Sequence, residues 1–184
     1  MPITDMHADT SEIEGLYVVR VKQVEDPRGT VREFYRHSSW VEAGLPDLGP
    51  WLQMNITATH QGALRGLHGE AMDKLVGVVH GEALGAYIDL RRDSGTFGAV
   101  VTVPLTPGVQ VLVPNGVGNG FQAVSPGGCQ YFYCFNREWQ PGMPGVSVSA
   151  LDPALGIRWP LPVEPSDLSE RDRTLPTFAE YRAS

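Results

Sequence analysis

The sequence is poor in cysteine, since Cys129 and Cys134 are the only two among 184 residues. Secreted domains that depend on disulfides carry several cysteine pairs, so this composition excludes a disulfide framework. We expect both residues to be free thiols in a reducing compartment, and the protein to be cytoplasmic.

Long hydrophobic runs and positive charge are also missing. No stretch approaches the ~18 apolar residues of a membrane-spanning helix, and the start MPITDMHADT lacks the apolar core of a secretory signal. The 14 basic residues are outnumbered by 21 acidic ones, which gives a net charge of -7. We therefore expect neither membrane insertion nor nucleic-acid binding, although a few arginines in a pocket could still bind a small anion.

Glycine and proline are abundant, with 21 and 15 copies spread along the chain between short apolar runs. This texture is typical of an all-β domain. Eight runs rich in β-branched and aromatic residues predict strands of a sandwich or jelly-roll barrel: WLQMNITAT, GALRGLH, KLVGVVHG, EALGAYIDLR, GAVVTVPL, VQVLVP, GFQAVS and CQYFYCF.

The length of the chain predicts a single domain over residues 1–184. We expect residues 1–14 to form a flexible N-terminal segment. Residues 151–184 contain five prolines and little periodicity, but they are too apolar for a disordered tail. They predict an extension that packs on the barrel and contains short helical pieces.

The stretch GALRGLHGEAMDKLVGVVHG, from Gly62 to Gly81, places one histidine in a glycine frame. Its spacing resembles the first motif of the cupin superfamily, a jelly-roll class whose motif holds metal-binding His-x-His and Glu residues. In this chain His68 is retained, the second histidine is Glu70, and the glutamate is Lys74. The glycine frame therefore predicts a cupin-type jelly-roll barrel.

A second cupin motif, with the pattern Gly, five residues, Pro-x-Gly, two residues, His, also matches in part. Gly108, Pro114 and Gly116 fit it, but its final histidine is Asn119. A divalent cation needs three or four N, O or S donors, so we expect no bound metal.

Without a metal, His68 and Lys74 suggest proton transfer in the mouth of the barrel, where small ligands commonly bind. A general base needs a carboxylate partner, and a developing enolate needs a cation or hydrogen-bond donor. The alternative is that His68 is an ordinary structural histidine, and the sequence around it leaves that alternative open.

Several ordered motifs carry a further resemblance: DPRGTVREFY, QMN, LRGLH, KLVGVVHGE, DLRRDSGTFG, VLVPNGVGNGF, LDPALGIRWP and LSERDRTLP. Together they resemble the dTDP-4-dehydrorhamnose 3,5-epimerases, metal-free cupins that act on nucleotide-linked 4-keto-6-deoxy sugars. The resemblance runs from about Gly15 to Pro176. It implies an isomerase that inverts C3, C5 or both through an enolate, without a cofactor.

The resemblance also implies roles for individual residues. His68 would remove the acidic proton next to the keto group, paired with the carboxylate of Asp172. Tyr133 would return a proton on the opposite face, and Lys74 would stabilise the enolate oxygen.

Other positions would bind the sugar, the nucleotide and the diphosphate. These are Arg28, Glu33, Gln53, Asn55 and Arg65, with Glu70 and Asn119 added as pocket residues that depart from the family pattern. The expected ligand is a dTDP-linked or GDP-linked 4-keto sugar, and the expected assembly is a homodimer whose N-terminal strands exchange between barrels.

Three positions differ from the usual family pattern: Glu70 replaces glutamine, Gly85 replaces aspartate and Asn119 replaces histidine. The combination is similar to the branch that epimerises GDP-linked 4-keto heptoses. The alternatives are thus a C3 or C5 monoepimerase, a GDP-4-keto-heptose epimerase, or a catalytically silent cupin that binds sugar nucleotides.

For two of the predicted site residues, Arg65 and Tyr133, the local sequence pattern alone does not predict a place in the pocket. Arg65 and His68 lie three apart, so they can reach one pocket only if Gly66 permits a bulge in the strand. Tyr133 lies in the aromatic run YFYCF, where the pattern alone predicts a core residue.

Overall fold

The computed structural model describes residues 2–184 and is built mainly from antiparallel strands. A six-stranded sheet has the order β2 (His7–Thr10), β3 (Tyr17–Arg20), β11 (Val109–Val113), β8 (Lys74–His80), β13 (Cys129–Phe135) and β6 (Gln53–Thr59). A five-stranded sheet has the order β10 (Val100–Leu105), β9 (Ala83–Asp89), β12 (Val117–Ala123), β7 (Leu64–Glu70) and β14 (Gly145–Ser147). The eight strands predicted from the sequence are β6 to β13.

The core lies between these two sheets. Phe121 of the five-stranded sheet stacks on Tyr131 of the six-stranded sheet, with ring centroids 3.8 Å apart. Valines from both sheets surround this pair, and the whole cluster is buried. Burial of alternate side chains on facing strands is what drives two sheets together. The prediction of an all-β, cupin-type jelly roll is confirmed.

Two short strands lie within residues 1–14, the segment that we expected to be flexible. Strand β2 extends the six-stranded sheet by pairing with β3, and β1 (Ile3–Thr4) pairs with β4 (Lys22–Asp26). Strand β4 also pairs with β5 (Gly29–Glu33), which makes a separate three-stranded sheet. The N-terminal residues form strands because β3 and β4 each have an edge with free backbone groups, and such an edge offers hydrogen bonds to another strand.

Helices are short and lie outside the two sheets. Helix α1 (His37–Glu42) buries Trp40, while α2 (Glu170–Arg173) and α3 (Phe178–Ala183) belong to the C-terminal extension. That extension also contains 3₁₀ turns at Pro153–Leu155 and Pro165–Asp167, so the predicted helical pieces are present. No helix within residues 2–184 is long and apolar enough to span a membrane.

The C-terminal extension covers the outer face of the five-stranded sheet. Leu155, Leu168 and Phe178 pack against buried residues of that sheet, including Leu64 and Ile88. Hydrogen bonds fix its path, because Gln122 of β12 both donates to and accepts from the backbone of Leu161. This packing carries α2 to the open end of the barrel, next to β7.

A bulge in β7 sets the direction of its side chains. Asn119 of β12 pairs with His68, whereas Phe121, two residues later, pairs with Arg65, three residues earlier. The extra residue lies at Gly66 and Leu67, as the spacing of Arg65 and His68 required. Gly66 has φ +117, and a Cβ atom there would lie 2.5 Å from Cα of Gly120. Only glycine fits this position without displacing a neighbouring strand.

We predict that Gly66→Ala lowers the free energy of unfolding by about 2 to 3 kcal/mol, because it combines backbone strain with overpacking. Urea unfolding followed by circular dichroism would measure the loss. Gly95→Ala is the matched control, since nothing lies within 4 Å of a Cβ atom at that exposed turn. Equal stability of the two variants would contradict this account of β7.

Candidate active site

Four polar side chains form a row across adjacent strands of the five-stranded sheet. Tyr87 of β9 lies opposite Asn119 of β12, Asn119 opposite His68 of β7, and His68 opposite Ser147 of β14. Residues directly opposite in antiparallel strands point to the same side and contact each other. The register of three strand pairs therefore assembles the row.

Part of this row lines a cavity of about 280 Å³ at the mouth of the barrel. The walls come from both sheets and from the loop after β13: Asn55, Arg65, His68, Glu70, Asn119, Tyr133, Phe135 and Trp139 are among the lining residues. Two adjoining clefts, of about 290 and 470 Å³, also include His68. His68 thus lies where all three spaces meet.

The imidazole of His68 has a protein group at each nitrogen. Nε2 lies 2.8 Å from Oδ1 of Asp172, and Nδ1 lies 3.0 Å from Oγ of Ser147. An ionised carboxylate at this distance favours the tautomer with the proton on Nε2 and the lone pair on Nδ1. The basic nitrogen is therefore the one beside Ser147.

Asp172 reaches His68 from a segment more than 100 residues away in sequence. Ser169 caps α2 by accepting a hydrogen bond from the backbone N–H of Asp172 at 3.1 Å, which orients the carboxylate toward β7. Burial alone would raise the pKa of Asp172, but contact with His68 offsets this effect and the pKa lies below its ordinary value. Asp172 is thus an ionised partner for the histidine.

Tyr133 approaches the cavity from the opposite sheet. It lies on β13, packs against Tyr131 with ring centroids 4.8 Å apart, and lines two of the spaces that His68 also lines. Burial raises the pKa of Tyr133 well above its ordinary value. The phenol therefore keeps its proton at neutral pH. The aromatic pattern predicted a core residue, and Tyr133 both packs on the core and faces the cavity.

Lys74 lies beneath the cavity, and its side chain is only 3% exposed. Its ammonium donates to the carboxylate of Glu70, to the backbone oxygen of His68 at 3.1 Å, and to Oδ1 of Asn119 at 2.6 Å. Burial lowers the pKa of Lys74. Burial would raise the pKa of Glu70, but the adjacent ammonium more than offsets it and the pKa is lowered. The pair is a buried ion pair with its donors satisfied.

The predicted binding residues fall into two groups. Arg65 and Asn55 line the cavity, and Gln53 lies beside it, where it donates to Asn55 at 3.3 Å and accepts from the backbone N–H of Trp139 at 2.7 Å. Arg28 and Glu33 lie on the β4–β5 hairpin and do not join His68 within one chain.

Three residues near His68 were not predicted from the sequence. Ser147 lies on β14, a three-residue strand too short for its pattern to be recognised. Trp139 is 47% exposed and lies at the edge of the cavity, in a loop without periodicity. Arg171 lines both adjoining clefts. Its position directly before Asp172 in the LSERD motif is the sequence feature from which it could have been predicted.

Metal-ligating groups are sparse around this cavity. Within residues 2–184, no three His, Cys, Asp or Glu side chains are grouped so that they could hold a metal ion. The position that would complete such a set is held by the ammonium of Lys74. The groups available for chemistry are an imidazole, a carboxylate, a phenol, an amide and a buried ion pair.

Comparison with known proteins gives a consistent result. The family model described as dTDP-4-dehydrorhamnose 3,5-epimerase matches residues 10–180. The chain is 34% identical to a dTDP-4-dehydro-6-deoxyglucose 3-epimerase of Streptomyces bikiniensis, over 91% of this chain and 86% of that protein. It is 36% identical to a dTDP-4-dehydrorhamnose 3,5-epimerase of Pseudomonas aeruginosa, over 84% of this chain and 86% of the relative.

Solved structures agree with these sequence matches. NovW of Streptomyces spheroides, a 4-keto-6-deoxy sugar epimerase from the novobiocin biosynthetic gene cluster, superposes with a TM-score of 0.88 at 29% identity. The match covers 98% of this chain and 91% of that chain. The likeness therefore extends over both sheets and the C-terminal extension.

We predict that Lys74→Met lowers the free energy of unfolding by about 3 kcal/mol, because it leaves the carboxylate of Glu70 without its buried partner. The double variant Glu70→Gln/Lys74→Met should regain part of this loss, since the unpaired charge is removed. Lys22→Met, at the only other lysine of the chain, is the control and should change stability little. Additive losses in the double variant would contradict a coupled pair.

The same pair predicts a pH dependence with a defined sign. Because the pKa of Glu70 is lowered in the folded protein, its stabilising contribution is present above the ordinary glutamate pKa of about 4.3 and is lost below it. The stability difference between the unmodified protein and Glu70→Gln should therefore shrink as the pH falls from about 7 to about 3. Urea unfolding across this range measures it, and a difference that grows on acidification would refute the ion pair.

Proposed function

The chain belongs to the dTDP-4-dehydrorhamnose 3,5-epimerase family, and on that premise we propose that it inverts C3, C5 or both of a dTDP-linked 4-keto-6-deoxy sugar. It is an isomerase that acts on a nucleotide sugar. The observation that carries the proposal is the placement of two proton-transfer groups on facing sheets: His68 on β7 and Tyr133 on β13.

Inversion of a carbon next to a ketone requires proton removal from one face and proton return to the other. His68 is the base in this proposal, with Nδ1 as the accepting nitrogen and Asp172 holding the imidazole. Tyr133 is the acid, and its raised pKa keeps it protonated until the planar enolate forms. A base and an acid on opposite walls suit inversion, whereas two groups on one wall would return the original isomer.

The enolate needs positive charge nearby, and Lys74 supplies it in this proposal. The ammonium lies directly behind Asn119 and Glu70, both of which line the cavity. Asn119 stands where the usual family pattern has a histidine, and an amide cannot carry a proton. This observation favours inversion at a single carbon, and a C3 or C5 monoepimerase is the second candidate function.

The diphosphate needs cations, and the overall negative charge of the chain does not supply them. Arg65 lines the cavity and one of the adjoining clefts, and Arg171 lines both clefts. Asn55 and Gln53 add amides at the same rim, while the exposed ring of Trp139 offers a surface on which a base could stack. We favour thymidine because the relatives' names specify dTDP, and a GDP-linked heptose remains the alternative to test.

We predict that the protein catalyses solvent deuterium incorporation into dTDP-4-keto-6-deoxyglucose and that His68→Asn abolishes it, because the amide cannot accept the proton. Proton NMR and mass spectrometry in deuterium oxide report the rate and the carbon. The matched control is His80→Asn, at an exposed histidine outside the cavity, and it should exchange normally.

Each outcome of this experiment has a distinct meaning. Exchange at both C3 and C5 identifies a double epimerase, and exchange at one carbon identifies a monoepimerase. Exchange only with a GDP-linked 4-keto heptose would show that the substrate carries GDP and not dTDP. Binding without exchange for every 4-keto sugar nucleotide would establish the silent cupin and overturn the enzyme.

We also propose a homodimer in which the β4–β5 hairpin reaches the partner's barrel. Strand β6 pairs with β13 on one side and is otherwise the edge of the six-stranded sheet, where it exposes Met54 and Ile56 to 66% and 63%. Strand β5 is an edge of the three-stranded sheet and exposes Val31 to 72%. Apolar edge strands of this kind pair with other strands. Such pairing would bring Arg28 and Glu33 to the partner's cavity, which Asn55 of β6 lines.

A complementation experiment tests this arrangement. We predict that His68→Asn and the double variant Arg28→Ala/Glu33→Ala are each impaired, and that an equilibrated equal mixture regains activity. In a symmetric dimer with exchanged hairpins, about one quarter of the sites in the mixture are intact. No gain over the sum of the separate variants would contradict the exchange.

The whole chain works as one domain in the cytoplasm in this proposal. Cys129 and Cys134 are both free and buried, as is usual for proteins of a reducing compartment. The C-terminal extension belongs to the same catalytic unit, since it delivers Asp172 to His68.

A further inference from the structure

The hydrogen bonds of Lys74 leave no N–H group free for a substrate. An ammonium has three donors, and all three are used within residues 2–184: by Glu70, by the backbone oxygen of His68 and by Oδ1 of Asn119. The side chain is 3% exposed and does not line the cavity. The charge of Lys74 can act on an enolate, but a direct hydrogen bond must come from another group.

Asn119 has the donor that Lys74 lacks. Its Oδ1 accepts from the ammonium at 2.6 Å, which fixes the amide so that Nδ2 points away from Lys74. Among the described residues, no acceptor takes a hydrogen bond from Nδ2, and Asn119 lines the same cavity as His68. Asn119 also lies directly opposite His68 in the strand register, so an oxygen next to the reacting carbon would be close to this amide.

We propose that Nδ2 of Asn119, oriented by Lys74, donates the hydrogen bond to the enolate oxygen during epimerisation. The inference rests on the proposed function and names the group that stabilises its intermediate. The C–H bond next to the ketone breaks, its proton moves to Nδ1 of His68, and its electron pair forms the C=C bond. The resulting charge on the former keto oxygen is held by Nδ2–H, and Asn119 gains and loses no atom.

The environment of Asn119 fits a donor that never changes protonation. Its neighbour across the register on β9 is Tyr87, which is fully buried and whose hydroxyl fills the space beside Gly85. A Cβ atom at Gly85 would lie 2.6 Å from that hydroxyl oxygen, so a side chain at this position would have to displace the ring of Tyr87. The one acid of β9, Asp89, is bonded by Arg91, Ser94 and Thr96. The ionised group bonded to Asn119 is Lys74.

The test compares Asn119→Asp with the unmodified protein. Aspartate keeps the shape and can still accept from Lys74, but it has no amide N–H. We expect deuterium exchange into the 4-keto sugar nucleotide to slow by about 100- to 1000-fold, as for loss of one oxyanion donor. The affinity for dTDP, measured by calorimetry, should change by less than about threefold, because the donor acts on charge that forms only in the reaction.

Two further variants keep the test decisive. Asn119→Ala removes the donor without adding charge, and it should also lose exchange while dTDP affinity is retained. Asn115→Asp makes the same amide-to-acid change at an exposed turn four residues away, and it should exchange like the unmodified protein.

The outcomes separate this inference from the function on which it rests. Slow exchange with retained dTDP affinity in the Asn119 variants supports the donor role. Normal exchange in Asn119→Asp or Asn119→Ala overturns it, as does a loss of dTDP affinity that parallels the loss of exchange. If the unmodified protein exchanges no 4-keto sugar nucleotide, the proposed function fails first and the inference falls with it.

Discussion

The close approach of β7 and β12 at Gly66 is the constraint on which the rest of the site depends. A regular strand would send Arg65 and His68 to opposite faces, one into the barrel and one away from it. The extra residue at the bulge turns both toward the cavity. A side chain at position 66 would collide with the backbone of Gly120. The contact between these two glycines is therefore what allows Arg65 and His68 to line the same cavity.

A second constraint follows from the burial of polar groups in that space. A buried ammonium costs several kcal/mol of desolvation unless its donors are satisfied, and Lys74 meets this condition with three acceptors from β7 and β12. The same hydrogen bonds fix the side chains around it. The orientation of Glu70 and Asn119 is thus a consequence of keeping a charge under the cavity, and the site is organised before any ligand arrives.

The sequence predicted those parts of the fold that have strong local patterns. Strands β6 to β13 alternate or form continuous apolar runs between glycine turns, and each was recognised from its composition. Strands β1, β2 and β14 are two to four residues long, and they form because neighbouring edges offer hydrogen bonds, which no local pattern reveals. For the same reason Ser147 was missed although it contacts His68 directly. Asp172 was predicted only through the family resemblance, since an acid in a short helix has no periodic signal of its own.

The three departures from the family pattern are easier to understand as a set than one at a time. With glycine at position 85, the hydroxyl of Tyr87 lies 2.6 Å from where a Cβ atom would stand, and Tyr87 in turn lies opposite Asn119. An amide suits that position because it needs no counter-ion. The buried ammonium of Lys74 does need one, and it pairs with the carboxylate of Glu70. The contacts that Lys74 makes with Glu70 and Asn119 support the proposed reaction, in which one amide and one buried cation would stabilise the charge on the enolate.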